Sequence, residues 1–535
     1  MASYWIDLLA SGGGAGTEFS PWNSTASLPA LVAGDVVNIR GEGAVQYTLS
    51  GSGSAGAPIT IRKDPSSQVK PLLHPVAQGA KVFTAVSRSH IRFEDFDVEA
   101  PPEWTSADTA AVFINGAGAS NHIVRVRARR ARFDFAGGFN RTDTLLDQCE
   151  ATDCVSDGIR WFSGTGTYAW DGFRVIGGVY SRNGRGQGAN GSGISLLIQN
   201  GHTASELKNV SIVGALVEDN FRYGVAVQDT SVAWPTLIAV GNTTPPNRQV
   251  KGAVVRGNTI RRNGDAGISL TAVQPSDVLH VGASGNLCED NSARSTIGNI
   301  WTGGCLKPII SFNGCYRAYT NGTTVGDGQG IFDDQWNDGA LVFGNEIADN
   351  VFQAFNPEYS AYGIGIFRCA NSRHWANVIR GCRHGFYIGT VTGAAAPLMT
   401  NIQVDGNTVA DFSQTAFVLV AATPAGALAI RNNLMLRGAR DIEAQSASAG
   451  GQTFASNYAA SVAQKYMGNG IGAAAVDHSL SEAQMLLSAG HRPLPGSPLI
   501  GAGLHLGYAR DATGAMRWNP PTIGAYEYVR PRAAR

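Results

Sequence analysis

Two adjacent carboxylates, Asp333 and Asp334, are the residues of this sequence whose type and spacing best suit catalysis. They follow Gly330-Ile331-Phe332, a glycine and two residues that favour β-strands. The asparagine-rich phrase that ends this stretch recurs along the chain, but the acid pair does not. Cleavage of a glycosidic bond typically uses two carboxyl groups about 5 to 9.5 Å apart, one protonated and one ionised. The pair therefore predicts acid/base chemistry of this kind.

Adjacent residues of a strand point to opposite faces, so an ideal strand would not let both acids reach one bond. Either the strand breaks at this point, or one acid works with a third. Asp327 is the first candidate for that third acid, and Asp338 and Glu358 are weaker ones. In an alignment of Gly330 with Gly365, Asp333 lies beside Arg368, and the structural alternative for Asp333 is an ion pair between coils.

Aromatic residues accompany the acids. The same alignment predicts that Phe332, Phe367 and Tyr387 point outward from three consecutive coils, with Trp336 beside Asp334. Exposed rings next to carboxylates suit a sugar-binding groove, because flat apolar sugar faces stack on rings. The alternative is that these rings are simply covered by other parts of the chain.

A repeat must position these residues. Glycine followed by β-favouring residues recurs at Gly158, Gly193, Gly224, Gly267, Gly330, Gly365 and Gly385. Units of about 20 to 35 residues, without helical periodicity, are typical of a β-solenoid. The recurring asparagines fit tight corners between strands, since asparagine tolerates left-handed backbone and bonds its own main chain. Stacked coils would place these asparagines above one another.

The domain organisation follows from the repeat. Residues 1–84 are predicted to form an N-terminal cap and the first coils, and residues 85–440 a parallel β-helix with a long loop insertion at about 274–329. Residues 441–535 are expected to form the last coils and a cap that covers the open end. Within that cap, Ser479-Leu480-Ser481-Glu482 predicts a capping box before a short helix over 483–487.

Composition excludes several classes of protein. Charged residues are only 15% and hydrophobic residues 43%, which argues against disorder. Lys and Arg together number 41, as do Asp and Glu, so the basic excess of a nucleic-acid-binding protein is missing. No run has the length of a membrane-spanning helix. The seven cysteines form no CxxC pair and are expected to be buried free thiols.

The lead-in phrases GDVVNIRG and GAPITIR, the glycine-strand and asparagine coils, and the ending PGSPL with IGAYEY together resemble right-handed parallel β-helix proteins. That family includes pectate-lyase-like enzymes, other polysaccharide lyases and hydrolases, and phage tailspikes. The resemblance covers nearly the whole chain. It implies an all-β fold, a single-stranded right-handed parallel β-helix with a C-terminal cap, and it does not separate hydrolases from lyases.

A lyase needs a base to remove a proton next to a uronate carboxylate, and Arg368, His374, His384 and Tyr387 are the candidates in this region. His384 is also a candidate for substrate binding. Calcium, which takes several oxygen ligands, could be held by acids of the 327–338 segment. No cofactor is expected for the hydrolase hypothesis.

Further charged residues are second-rank candidates for the groove. Asp157 and Arg160 on one coil and Asp229 on another align with the corner that carries Asp333 and Asp334. Upstream, the alternating arginines of residues 125–132 could hold an acidic glycan. A solvated face, answered by acidic residues at 94–99 on the preceding coil, is the favoured alternative.

Three hypotheses follow: a tailspike-like glycoside hydrolase acting on a bacterial or acidic polysaccharide, a uronate-cleaving lyase, and a non-catalytic glycan-binding or structural β-helix. The N-terminal residues show no signal peptide. An extracellular or virion-associated protein is expected, with neither nucleic acid nor membrane insertion. The resemblance to tailspikes implies a possible homotrimer.

Overall fold

The computed structural model describes residues 1–104, 108–138, 140–163, 167–186, 191–199, 201–231, 246–294, 297–318, 328–350, 361–389, 399–420, 427–445, 452–464 and 476–528. Parallel strands dominate these residues. The chain divides into two compact units, the first comprising residues 1–232, 249–264 and 275–279, and the second comprising residues 233–248, 265–274 and 280–535.

The strands of unit 1 form three parallel stacks, and each complete coil contributes one strand to each stack. The first stack contains Ser3–Asp7, Val36–Arg40, Ile59–Lys63, Ile91–Glu94, Gly118–Val124, Arg141–Asp147, Ala169–Ile176, Glu206–Val213 and Val250–Arg256. The second contains Glu42–Val45, Leu72–Pro75, Asp97–Glu99, Arg127–Arg129, Glu150–Thr152, Val179–Ser181, Leu216–Glu218 and Thr259–Arg261. The third contains Tyr47–Thr48, Lys81–Val86, Ala110–Asn115, Phe133–Gly137, Ile159–Phe162, Ile194–Ile198 and Val225–Asp229.

Unit 2 repeats this plan. Its first stack contains Val281–Ser284, Pro308–Ser311, Leu341–Phe343, Arg373–Trp375, Ile402–Asp405, Leu428–Arg431 and Thr453–Ala455. Its second contains Leu287–Glu289, Gly314–Tyr316, Glu346–Ala348 and Val378–Arg380, and its third Ile268–Thr271, Ile300–Gly303, Ile331–Asp334, Tyr362–Phe367 and His384–Gly389. The long strands Thr408–Leu419 and Leu434–Ala444 continue both of these stacks, Tyr458–Gln464 pairs after them, and Val273–Gln274 is a two-residue strand.

The predicted all-β parallel β-helix is thus confirmed. One part of the predicted organisation is wrong, because residues 274–329 are not a loop insertion. They contain two further coils, with strands such as Val281–Ser284 and Ile300–Gly303. The coil of Ile300–Gly303 was not recognised in the sequence because Asn299 stands where the neighbouring coils carry Gly267 and Gly330.

Glycine before a third-stack strand has a steric cause. A Cβ added at Gly330 would meet the side chain of Ile347 at 2.4 Å and the carbonyl oxygen of Gly363 at 2.8 Å. Such contacts are too close for any side chain, so the backbone of one coil approaches its neighbours only where glycine is present. The recurring glycine-strand phrase therefore reflects the packing of the coils.

The asparagine phrase marks the corner between the first and second stacks of unit 2. A residue with positive φ follows each first-stack strand, and glycine suits this position best because it has no Cβ. The next residue is a buried asparagine whose Nδ2 donates to the Oδ1 of its counterpart one coil on, at 2.9–3.0 Å. Seven residues form this ladder: Asn286, Asn313, Asn345, Asn377, Asn407, Asn433 and Asn457.

Unit 1 has a shorter ladder at its other corner, between the second and third stacks. Asn183 donates to Asn220, and Asn220 donates to Asn263, each at 2.8 Å. The asparagine side chains also bond backbone groups that the turn leaves unpaired, as Asn220 does to the carbonyl of Tyr180. Because unpaired buried backbone groups are costly, the ladders make a sharp corner compatible with a dry core.

The interior of unit 2 is built from columns of aliphatic and aromatic side chains. One column of the third stack runs through Ile268, Ile300, Ile331, Ile364, Phe386, Phe417 and Ile442, all fully buried. All seven cysteines are buried and free, as expected. Among the described residues, no helix has the length and apolar character needed to cross a membrane.

The C-terminal tail packs along the side of the coils as well as at their end. Asp477 forms a single parallel β-bridge with Tyr458, the first residue of the last strand. A short helix, Glu482–Met485, follows, with a capping box formed by Ser481 and Gln484 rather than by the predicted Ser479. Met485, Leu499 and Ile523 then cover the outward residues of the second stack, Ala410, Leu434, Leu436 and Ala460. A 3₁₀ turn over Thr25–Ser27 is the other described helical element.

Replacing Asn345 with alanine is expected to lower the free energy of unfolding by about 2–4 kcal/mol, because it removes partners from buried polar groups of both neighbouring coils. Asn247, which is exposed, is the matched control, and its alanine variant should lose less than about 0.5 kcal/mol. Urea unfolding followed by tryptophan fluorescence measures both. Equal losses would show that the ladder does not stabilise the corner.

Candidate functional site

The strand Ile331–Asp334 sends its two acids to opposite faces. Ile331 and Asp333 face the interior of the coil, and Phe332 and Asp334 face outward. The strand does not break between the acids, so they cannot act together on one bond. The predicted acid pair is therefore wrong as a pair.

Asp333 lies in the core of unit 2, fully buried. Its Oδ2 is 3.0 Å from Nε2 of His374, which enters from the first stack, and its Oδ1 accepts from Nδ2 of Asn337 at 2.6 Å. A substrate outside the coil cannot reach it. The expectation of a catalytic Asp333 is corrected to a structural role, and the same burial removes His374 as a candidate base.

The register of the next coil also differs from the predicted one. Ile331 pairs with Ile364, so Gly330 corresponds to Gly363 and not to Gly365. The sequence Gly363-Ile364-Gly365-Ile366 offers the repeat phrase twice, and the two choices differ by two residues. Asp333 therefore lies beside Ile366, and its predicted ion pair with Arg368 does not form.

A shift of two residues keeps each side chain on its face, so the predicted outward aromatics do share one wall. Trp301, Phe332 and Tyr387 follow one outward column, with Gly365 between Phe332 and Tyr387. Phe367 lies two residues after Gly365 on the same strand, in the outward column that contains Asp334. Its ring meets Phe332 edge to face at 5.2 Å and lies nearly parallel to Tyr387 at 5.3 Å.

The rings of this wall differ in what they leave exposed. Tyr387 is 2% exposed, and the rings of Tyr362 and Phe367 stack on it with centroids at 4.3 and 5.3 Å. It therefore supports the wall and offers no free face to a sugar. Phe332 and Phe367 are half-buried and remain candidates for substrate contact.

Asp334 is the acid of this wall. Its Oδ2 accepts from Nε1 of Trp301 at 3.1 Å, and its Oδ1 accepts from the backbone N–H of Gln335 at 2.7 Å. Burial raises the pKa of the Asp334 carboxyl to about 7, although these two hydrogen bonds and the charge of Arg368 lower it. At neutral pH a large fraction of Asp334 therefore carries its proton.

Arg368 completes this cluster. It is 4% exposed, and its Nη1 donates to Oε1 of Gln335 at 3.2 Å. Burial lowers the pKa of the Arg368 guanidinium, and the charge of Asp334 partly opposes that shift. We call Trp301, Phe332, Asp334, Phe367 and Arg368 the acid wall.

Other predicted residues lie apart from the acid wall. Trp336 follows it in a turn, with positive φ, and its carbonyl accepts from Arg248 at 3.0 Å. His384 lies on the same outer face beside Tyr362, with ring centroids 5.5 Å apart, and burial lowers its pKa to about 3. Its register with Tyr362 places it five residues from the Asp334 column, roughly 16 Å along the strand direction. Asp327 and Glu358 lie outside the described residues.

The second-rank candidates belong to unit 1, where each has a structural partner. Asp157 is buried, accepts from the backbone of Gly191 and Ser192, and pairs with Arg160 at 2.9 Å. The Arg160 guanidinium also lies over the Phe133 ring. Asp229 is buried at the end of its strand and accepts from the backbone N–H groups of Ser231 and Gln249. These contacts hold neighbouring backbone in place.

Sequence reasoning missed Trp301, which holds Asp334. The unrecognised coil of residues 300–303 concealed it, and its register with Phe332 is what reveals it. The predicted calcium ligands are divided, because Asp333 faces inward and Asp334 outward. Within the described ranges, no three His, Cys, Asp or Glu residues come together as a metal site.

Comparison with known proteins gives structural likeness alone. No family profile matches the chain, and no curated protein matches its sequence. A lacto-N-biosidase of family GH136 from Eubacterium ramulus is 12% identical over 88% of this chain and 67% of that chain, with a TM-score of 0.27. A mannuronic acid specific polysaccharide family 6 lyase from human gut microbiota is 12% identical over 82% and 86%, with a TM-score of 0.43. Tailspike protein 3 of bacteriophage CBA120 is 10% identical over 82% and 55%, with a TM-score of 0.41.

Replacing Asp333 with alanine is expected to lower the free energy of unfolding by about 3–5 kcal/mol, because it leaves His374 in the core without its partner. Urea unfolding measures the loss. The matched control is Glu346→Ala, which removes an exposed pair with Arg380 and should cost less than about 1 kcal/mol. A combined Asp333→Leu, His374→Leu variant should recover stability relative to the single change; no recovery would contradict a buried pair.

Proposed function

We propose that the protein degrades polysaccharides by cleaving glycosidic bonds at the acid wall, with Asp334 as the general acid. One observation carries the proposal: the Asp334 carboxyl faces outward from the coil, accepts a hydrogen bond from Trp301 beside the half-buried rings of Phe332 and Phe367, and has its pKa raised by burial to about 7. A carboxyl that keeps its proton at neutral pH is what a leaving sugar oxygen requires.

In the proposed step, the proton of Asp334 passes to the glycosidic oxygen as the bond between that oxygen and the sugar carbon breaks. The electron pair of the broken bond stays on the oxygen, so the departing sugar leaves as a neutral alcohol. The bond to Trp301 fixes the carboxyl, and the Arg368 charge stabilises the carboxylate that remains. Phe332 and Phe367 would contact the sugar ring.

Hydrolysis also needs a second carboxylate to activate or replace water. Asp333 cannot serve, since it faces the core. Asp327 stays the proposed partner, and a glycoside hydrolase with this pair is the first candidate. A polysaccharide substrate implies an extracellular or virion-associated location, and assembly as a homotrimer is part of the same proposal.

A lyase acting on a uronate-containing glycan is the second candidate, and Arg368 is the observation that favours it. Burial lowers the pKa of this guanidinium, which lies beside the only acid of the wall among the described residues. It could pair with the uronate carboxylate or remove the neighbouring proton, while Asp334 protonates the leaving oxygen. Elimination leaves a carbon–carbon double bond in the product, and hydrolysis does not.

The activity should fall as the pH rises through about 7, because Asp334 acts in its protonated form and that form is lost above its pKa. Asp334→Asn should lower kcat/KM by about 10²–10⁴-fold and abolish this alkaline limb. The control is Asp349→Asn, an exposed acid of the same segment, which should keep both rate and profile. Loss of viscosity in a panel of bacterial and plant polysaccharides measures cleavage. A parent-like profile in Asp334→Asn would refute the assignment.

The products distinguish the two mechanisms. Elimination predicts an unsaturated product that absorbs in the far ultraviolet, and Arg368→Gln should then abolish its formation. Hydrolysis predicts new reducing ends without that absorbance, and Arg368→Gln should then weaken cleavage less than Asp334→Asn does. Reducing-end and absorbance assays on one reaction separate these outcomes. If no polymer of the panel is shortened, the non-catalytic glycan-binding hypothesis replaces both.

A further inference from the structure

A groove of about 680 Å³ crosses the second stack of unit 1. Its walls come from the strands Glu42–Val45, Leu72–Pro75, Asp97–Glu99 and Arg127–Arg129, with Asp7 and Arg40 from the first stack. This volume falls within the range of about 300–1,000 Å³ that is typical of ligand sites. Every lining residue is among those described, and none belongs to the acid wall.

Charges of both signs line the groove. Four carboxylates, Asp7, Glu42, Asp97 and Glu99, face four cations, Arg40, Lys70, Arg127 and Arg129. Most of these groups are already engaged. Arg40 pairs with Asp7 at 2.9 Å, and Arg127 pairs with Asp97 at 3.0 Å. Lys70 donates to the carbonyl of Arg125 at 2.6 Å.

Arg129 is the exception. It lies on the exposed side of its strand, between Glu99 of the preceding coil and Thr152 of the next. Glu99, its natural partner, is taken by Arg130 at 2.7 Å. In the described part of the chain, the Arg129 guanidinium has no ion-pair or hydrogen-bond partner. The favoured expectation is that acids of the preceding coil pair with the arginines of residues 125–132. This holds for Arg125, Arg127 and Arg130, which form such ion pairs, and it fails for Arg129.

Two exposed aliphatic side chains line the same groove. Leu9 is 73% and Val69 is 74% exposed. Exposed aliphatic groups offer contacts to the C–H faces of a sugar. The carboxylates can accept hydrogen bonds from its hydroxyl groups, and the guanidinium groups can donate to its oxygens.

We propose that this groove binds an acidic glycan of sparse charge, with Arg129 pairing the acidic group of the sugar. A free guanidinium forms strong, bidentate bonds with a carboxylate or a sulfate. Four carboxylates in the same groove disfavour a densely charged polyanion such as a nucleic acid, whose binding depends on many unopposed cations. A polysaccharide with about one acidic group per repeat satisfies both conditions.

The proposal is independent of catalysis at Asp334, because binding in the groove needs no residue of the acid wall. It gives the chain a second means of holding polysaccharide. Carboxylated and sulfated glycans share the chemistry that Arg129 recognises, and the experiment separates them.

Affinity electrophoresis of the full chain tests the proposal, in native gels that contain hyaluronan, gellan, xanthan or chondroitin sulfate, with dextran as the uncharged control. At least one acidic polymer should retard the chain, less so as salt is added. Arg129→Gln should weaken that binding about fivefold, equivalent to about 1 kcal/mol. Arg182→Gln, in which an exposed arginine outside the groove and paired with Asp153 is changed, should bind as the parent does.

Three results would overturn the proposal: no retardation by any of the four acidic polymers, parent-like retardation of Arg129→Gln, or equal retardation by poly-L-glutamate. Retardation by chondroitin sulfate alone would assign the ligand as sulfated, and retardation by the other three would assign it as carboxylated. Arg129 is exposed, so Arg129→Gln should melt as the parent does, and a thermal melt confirms that the variant is folded.

Discussion

Hydrogen bonds between buried asparagine side chains are the constraint on which the coils depend. A chain that turns sharply between two strands leaves backbone groups unpaired, and a dry core offers no water to satisfy them. In unit 2 each asparagine of the ladder satisfies such groups and passes a hydrogen bond to the next coil. The corner residue before it has positive φ, and at three of the seven corners that residue is glycine, so the pair reads as Gly-Asn in the sequence.

Once the corners are fixed, the strands between them have a fixed register. Because side chains alternate between the two faces of a strand, the register determines whether each side chain points into the core or outward. Asp333 and Asp334 show how strong that decision is. One points into the core and is held by His374 and Asn337. The other points outward, where burial raises its pKa although the hydrogen bond from Trp301 lowers it. Two adjacent aspartates therefore have different surroundings, one inside the core and one on the outer face.

Charges follow the same geometry in unit 1. Stacking sets residues about 30 positions apart directly above one another, so arginines of one coil meet the acids of the coil before it. These pairs are partly exposed and contribute modestly to stability, but they neutralise most of the basic stripe. Because Glu99 pairs with Arg130, Arg129 has no partner among the described residues, and the proposed glycan site depends on this difference.

The sequence by itself determined the kind of fold, the corner asparagines, the free thiols and the short helix near the C-terminus. Each of these follows from local chemistry: the conformational freedom of glycine, the amide of asparagine, the spacing of cysteines and the serine cap. Only the tertiary structure decided the register, since Gly363 and Gly365 are locally equivalent and the contact with the next coil selects between them. The same holds for the coil at residues 281–303, where Asn299 replaces the glycine signal, and for the choice of face at Asp333. Side chains that meet across coils are about 30 or more residues apart in the sequence, and a local sequence pattern does not specify which of them come into contact.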